Sequence, residues 1–189
     1  MRKRTCDPSV EISGHTLTAY ISGTHTDIIL RIFKKYGLED IQPEKWYPLQ
    51  PLLSALYEIG THPDASSSLV SIGVKIAEYG VEPPDLKSAR LAMVLEGWEK
   101  HLYANVRNGD VGHVITEKIN PTYYRITHQN VFPDDLCYGL AYGFARAHLP
   151  IGSNFKVWYE DYQHRIDNSD SDKTVVCVSW ESQAAWAPQ

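Results

Sequence analysis

Apolar positions recur every three or four residues through most of the first 107 residues, and every second residue in most of the remainder. Ile28, Ile29, Ile32 and Phe33 mark one face of a helix over 24–36, with Thr24 and Thr26 as caps and Gly37 as its stop. Leu52, Leu53, Leu56 and Ile59 predict a helix over 49–59, with Pro48 and Pro51 at its first turn. After the turn at Thr61–Asp64, Leu69, Ile72, Val74 and Ile76 predict a third helix over 65–79, closed by Gly80. The longest helix is predicted over 86–106, through Leu91, Val94, Leu95, Trp98, Leu102 and Val106. Residues 38–48 read as a connector. Residues 9–22 show a broken alternation through Leu17, Ala19 and Ile21, which predicts a strand bent at Gly14.

The pattern then changes. Two strands are predicted over 112–119 and 122–131, turning at Asn120-Pro121, and pairing about that turn sets His113 opposite His128. Pro133, Asp134 and Asp135 start a helix in which a carboxylate can cap free backbone N–H groups. Leu136, Leu140 and Phe144 form its apolar stripe, and Pro150 and Gly152 end it. Gly139 and Gly143 share one face of that helix, which suits close backbone approach to a strand, or the wall of a bound group. Alternation through Phe155, Val157 and Tyr159, and through Thr174, Val176, Val178 and Trp180, predicts two more strands. The acidic segment 166–173 between them is too long for a tight hairpin turn.

This order describes an α+β fold: a helical N-terminal half over 24–107, packed on a C-terminal antiparallel β-β-α-β-β unit over 111–182. A length of 189 residues and 43% hydrophobic content suit one domain over 1–189. Helices and sheet each need an apolar partner, so a pocket is expected between the long helix and the sheet. Trp98, Tyr124, Tyr138, Tyr142 and Phe144, with Gly139 and Gly143, are the candidate ligand-binding residues there.

Charge and motifs narrow the function classes. A net charge of −5 and a pI near 5.9 disfavour a nucleic-acid partner. No stretch of 18 apolar residues suggests a membrane span, and the basic start MRKR is followed by polar residues rather than a signal-peptide core, so a cytoplasmic location is expected. Cys6, Cys137 and Cys177 are far apart and form no C-x-x-C, and the histidines lack metal-ligand spacing, so no metal site is expected. The common phosphate-loop, esterase and zincin signatures are absent. A nucleophilic set of Cys137, His128 and Asp135 can be drawn, but Cys137 lies on an apolar stripe. No catalytic residue is therefore assigned.

Several features together resemble a known superfamily. They are Trp98 on the long helix, the Pro133-Asp134 start of a helix with Gly139 and Gly143, the Phe155, Val157 and Tyr159 strand, and a last strand ending at Trp180. Over about residues 46–181 the chain resembles the superfamily that joins haem–nitric-oxide-binding domains, 4-vinyl-reductase-like sensor domains and TRAPP subunits, with bacterial members nearest. The resemblance implies a small hydrophobic or aromatic ligand, a homodimer and a downstream protein partner. Haem-binding members use an axial histidine from a helix before the sheet, and His101 stands in that place. They also use a Tyr-x-Ser-x-Arg motif to grip the haem propionates. Here Tyr123 is followed at those positions by Arg125 and Thr127, and Tyr124 by Ile126 and His128, so neither register supplies the grip. The cofactor is left unassigned, with haem disfavoured. The expected function is a non-catalytic small-molecule-binding sensor or regulatory domain. The alternatives are an adaptor dimer without ligand, a haem gas sensor using His101, and a vinyl-reductase-like enzyme.

Overall fold

Branched and aromatic residues alternate along β4 (Gly112–Asn120), β5 (Tyr123–Asn130), β6 (Phe155–Tyr159) and β7 (Thr174–Trp180), which build an antiparallel sheet in the order β4-β5-β7-β6. The computed structural model describes residues 3–22, 27–63, 65, 67–79, 91–160 and 172–181. One sheet face carries Tyr124, Ile126 and His128 from β5 with Val176 and Val178 from β7, all with essentially no exposure. Helix α7 (Asp134–His148) connects the two hairpins, so the β-β-α-β-β unit and the α+β class are as expected.

The helical half comprises α1 (Gly14–Ser22), α2 (Asp27–Lys35), α3 (Leu49–Thr61), α4 (Ser68–Tyr79), α5 (Leu91–Glu96) and α6 (Trp98–Ala104). Thr24, Thr26, Gly80, residues 86–90 and most of the acidic segment 166–173 lie outside the described residues. The long helix is divided at Gly97, whose N–H still donates to Met93 O at 2.9 Å while His101 N–H donates to Gly97 O at 3.0 Å. The backbone ladder therefore runs on from α5 into α6. Val106, placed by periodicity on that helix, instead opens the short strand β3 (Val106–Arg107).

The N-terminal region differs most from expectation. Only β1 (Glu11–Ser13) is extended, and the chain turns into α1 at Gly14. Ser13 is the reason: its Oγ accepts the Thr16 backbone N–H at 3.3 Å, as a helix-capping serine does. Thr18 Oγ1 donates back to Gly14 O at 2.8 Å, and Gly14, Leu17 and Tyr20 are buried at helical spacing. The connector 38–48 holds a strand too, β2 (Trp46–Pro48), and β2-β1-β3 form a small second sheet.

The register of the first hairpin is shifted by one from the expected pairing. An irregularity between Lys118 and Asn120 places Val114 opposite His128, and His113 opposite Gln129. A one-residue slip moves a side chain to the other sheet face. His113 is exposed and pairs with Glu99 at 2.8 Å, whereas His128 is fully buried. The start of α7 also departs from the capping expectation: Pro133 occupies the cap with no side-chain hydrogen bond, and the two carboxylates sit in the first turn.

Two apolar clusters result. One joins β1, α1, α2, α3 and α4 with Leu136 and Cys137 from α7. The other joins Leu91, Val94, Leu95 and Trp98 with the sheet and with Ala141, Phe144 and Ala145 of α7. Leu102 packs against both. Their seam positions the candidate site.

Candidate functional site

A chamber of about 80 Å³ lies at that seam. Its apolar walls come from α4 (Ile76, Ala77), α6 (Trp98, Leu102), α7 (Leu140, Phe144) and the strand residues Ile12 and Val114. Trp98 meets Phe144 edge-on at 5.1 Å and His128 at 5.0 Å, so the three rings brace one side. Polar groups also converge here: Thr16, Tyr20, His101, Asn105, His128 and Asn130. Burial pushes the Tyr20 phenol above its ordinary range, with nearby Cys137 adding to the shift. Among the described residues, none of those lining the chamber is Asp, Glu, Lys or Arg.

Hydrogen bonds hold this polar set in place. Asn105 Oδ1 accepts from Thr16 Oγ1 at 2.7 Å and from Ser13 Oγ at 3.1 Å. Its Nδ2 donates to His101 O at 3.0 Å and lies 3.5 Å from His101 Nε2. Asn130 Oδ1 accepts the Phe132 N–H at 3.1 Å, with its Nδ2 3.4 Å from His128 Nδ1. Each histidine is thus oriented by an asparagine from its own element or the residues just after it.

Of the candidates read from sequence, Trp98, His101 and Phe144 line this chamber, and the others lie elsewhere. Tyr124 is fully buried, but its hydroxyl donates to Glu96 Oε1 at 2.8 Å and its ring stacks on Trp180. Tyr138 donates to Val157 O at 3.0 Å, towards β6. Tyr142 is exposed against Phe155. Gly139 and Gly143 face helix α4 rather than a strand or a chamber: an added Cβ would lie 2.2 Å from Val70 O and 2.7 Å from Val74 O, respectively. Sequence reasoning missed Thr16, Asn105 and Asn130. Only the Ser13-x-x-Thr16 cap could have pointed to the first; the two asparagines carry no sequence signal.

The nucleophilic set does not assemble around one centre. Cys137 and His128 both line the chamber, but Asp135 accepts the Tyr159 hydroxyl at 2.8 Å on the β6 side. Among the described residues, no group of three or more His, Cys, Asp or Glu is placed to hold a metal ion.

The residues present do not fit haem. Among the described residues, no cation lines the chamber to meet propionates, and Arg125, the one arginine near the grip positions on β5, sits on the opposite sheet face between Glu117 and Glu160. The inward positions of β5 are Tyr124, Ile126, His128 and Asn130. His101 Nε2, whose lone pair an iron would need, faces the fixed Asn105 amide. The chamber is also smaller than the roughly 300–1,000 Å³ of pockets for drug-sized ligands.

No family model matches the chain. No curated protein matches it either. Solved structures do. An H-NOX protein from S. oneidensis, in its Fe(II)NO ligation state, superposes with a TM-score of 0.60 at 11% identity, over 90% of this chain and all of that one (100%). A double variant of the Tt H-NOX domain gives a TM-score of 0.65 at 10% identity, over 90% of this chain and 96% of that one. An oxygen-binding H-NOX domain related to soluble guanylate cyclases gives 0.61 at 11% identity, over 89% and 93%. The superpositions extend over nearly the whole length at this low identity, and the chain therefore has the haem–nitric-oxide-binding (H-NOX) fold.

Proposed function

We propose that this chain is a non-catalytic sensor or regulatory domain that binds a small, mostly apolar molecule in the chamber between its helices and sheet. The observation that carries the reading is the chamber itself: apolar walls and a few oriented polar groups at the seam of two cores, which is the usual make-up of a ligand site. Occupancy acts by population shift. A ligand that prefers one arrangement of α1, α4 and α6 against the sheet favours that state. The change passes to a partner protein, with a homodimer as the working form in the cytoplasm. Ile115 and Ile119, exposed on the edge strand β4, support a protein-contacting surface. Among the described residues, no helix is long and apolar enough to cross a membrane.

The chamber is smaller than the roughly 150 Å³ cavity that accepts benzene. Xenon and neutral compounds of about four to six heavy atoms are therefore the probes. The Trp98 indole N–H signal in NMR should shift saturably with a subset of them. Filling the chamber from α1 with Ala19→Phe should abolish those shifts. Shifts unchanged in a folded Ala19→Phe protein, or none with any probe, would reject the reading. In the second case the adaptor role is what remains.

A further inference from the structure

The four-stranded sheet ends at β6. Glu160 N–H donates to Val175 O, and Glu181 N–H donates to Asn154 O, both at 3.0 Å. Bonded and non-bonded pairs alternate along an antiparallel ladder, so Lys156 and Trp158 also bond towards β7. The backbone N–H and C=O groups of Phe155, Val157 and Tyr159 therefore point away from the sheet. Among the described residues, no strand pairs with that side of β6. Val157 O accepts the Tyr138 hydroxyl at 3.0 Å and keeps a second lone pair. Apolar surface is exposed beside this edge, at Ile151 and at Tyr142, whose ring lies 5.1 Å from Phe155.

The outer-face side chains of that edge are complementary to themselves. Lys156 is exposed, and Glu160 stands four residues on, about 13 Å along the strand and out of its reach. Glu160 shares the Arg125 guanidinium with Glu117, so one cation meets two carboxylates and one negative charge is left in excess. A second copy laid antiparallel on β6 about a two-fold axis must be centred on a residue, because facing side chains lie on the same side of the sheet. Centring on Lys156 sets two ammonium groups against each other. Centring on Val157 sets Lys156 against the partner's Trp158. Centring on Trp158 sets Lys156 against the partner's Glu160, twice by symmetry, and bonds Val157 to the partner's Tyr159.

We propose that β6 is the homodimer interface, where a second copy of the chain adds its own β6 in the register centred on Trp158. Two four-stranded sheets become one continuous sheet. Opposite charge at Lys156 and the partner's Glu160 sets the register. This rests on the homodimer of the reading above and deepens it by naming the surface; β4, at the other end of the sheet, stays available to a different protein.

The test uses the full-length chain. Sedimentation velocity over a concentration series should show a monomer–dimer equilibrium, which Lys156→Glu weakens about tenfold by creating two like-charge pairs. Glu160→Lys should weaken it as well. An equimolar mixture of the two variants should dimerise as wild type does, because unlike charges then meet across the axis. Amide hydrogen exchange should slow at Val157 and Tyr159 as the dimer forms, and only at higher concentration in Lys156→Glu. Far-UV circular dichroism checks that each variant folds. If Glu160→Lys, which takes a partner from Arg125, does not fold, Lys156→Glu and the exchange data decide alone. A dimer that Lys156→Glu leaves unchanged, or one without protection at those two amides, would overturn this interface and leave the homodimer standing. A monomer at every concentration would overturn both.

Discussion

Replacing Gly139 by alanine sets two opposing effects against each other, and the structure decides between them. Helices α4 and α7 form the most extensive contact between elements among the described residues. The contact is close because glycine stands on both sides of it: Gly139 and Gly143 on α7, and Gly73 on α4. A methyl group at 139 would lie 2.2 Å from Val70 O, 2.9 Å from Val70 C and 3.0 Å from Val70 Cα. The first distance is more than about 1 Å inside ordinary contact. Every atom it meets is backbone, so no rotamer change relieves it, and α4 must move away. Alanine gains about 1 kcal/mol over glycine inside a helix. Overpacking against a rigid neighbour costs about 3 kcal/mol, the upper part of its usual range. The net loss is then about 2 kcal/mol, or roughly 4–8 °C in Tm for a chain of this size. Thermal and urea unfolding followed by far-UV circular dichroism measure it. Position 143 supplies a check, because a methyl there would meet Ala77 Cβ at 2.6 Å as well as Val74 O at 2.7 Å. Ala77→Gly should therefore recover part of the loss in Gly143→Ala, and add its own cost in Gly139→Ala. A Gly139→Ala protein as stable as wild type, or more so, would refute the close approach of the two helices.

Three further outcomes rest on named contacts. Glu58 accepts from Lys35 Nζ at 2.7 Å and Tyr36 OH at 2.8 Å, and these hydrogen bonds, Lys35 first, hold its carboxyl below the ordinary value. Its contribution is present above an unfolded pKa of about 4.3 and is lost as pH falls through the lower folded value. Glu58→Gln should therefore cost less than about 1 kcal/mol at neutral pH, with the gap to wild type closing in acid, as read from urea midpoints across pH. Hemin titrated into the purified chain should give no Soret spectrum that distinguishes wild type from His101→Ala, and a band lost only in the variant would restore the haem reading. Tyr103 donates to Asp110 at 2.6 Å, and burial together with that carboxylate pushes its phenol up to about 12. Tyr103→Phe should remove one phenol from the alkaline limb of an ultraviolet titration, and loss of a phenol near 10 instead would contradict the pairing.

How much is legible in the sequence depends on how locally each feature is determined. The β-β-α-β-β unit is legible because alternation along Phe155–Tyr159 and Thr174–Trp180, and the stripe through Leu136, Leu140 and Phe144, need no tertiary information. Helix α1 is not legible by periodicity. Over so short a segment, Leu17, Ala19 and Ile21 alternate as a strand would, and the deciding feature is the Ser13 cap. The partner of His128 is not obtainable either, because one extra residue near Ile119 shifts every pairing further along the hairpin. Glycine at 139 and 143 announces a close approach without naming its partner, which is α4 and not the sheet. The polar half of the chamber is the least visible. Thr16, Asn105 and Asn130 are distant in sequence and are brought together only by the pairing of β1 with β3 and of β4 with β5.

The chamber's volume is set by a few side chains rather than by the layers around it. Backbone agreement with H-NOX domains extends over about nine-tenths of the chain at 10–12% identity, so the layers tolerate wholesale replacement of side chains. In this chain Trp98 and Phe144 meet edge-on where α6, α7 and the sheet converge, and Phe132 and Leu140 help close the remaining space to about 80 Å³. Arg125 of β5 lies on the outer face, where it joins Glu117 of β4 and Glu160 just after β6. Among the described residues, the polar lining of the chamber includes two histidine–asparagine pairs, His101 with Asn105 and His128 with Asn130. Among the described residues, no Asp, Glu, Lys or Arg lines the chamber to offer propionates a counter-charge. Whether Arg125 faces the chamber is thus decided by strand register and not by fold, since it stands one residue from the inward Tyr124 and Ile126.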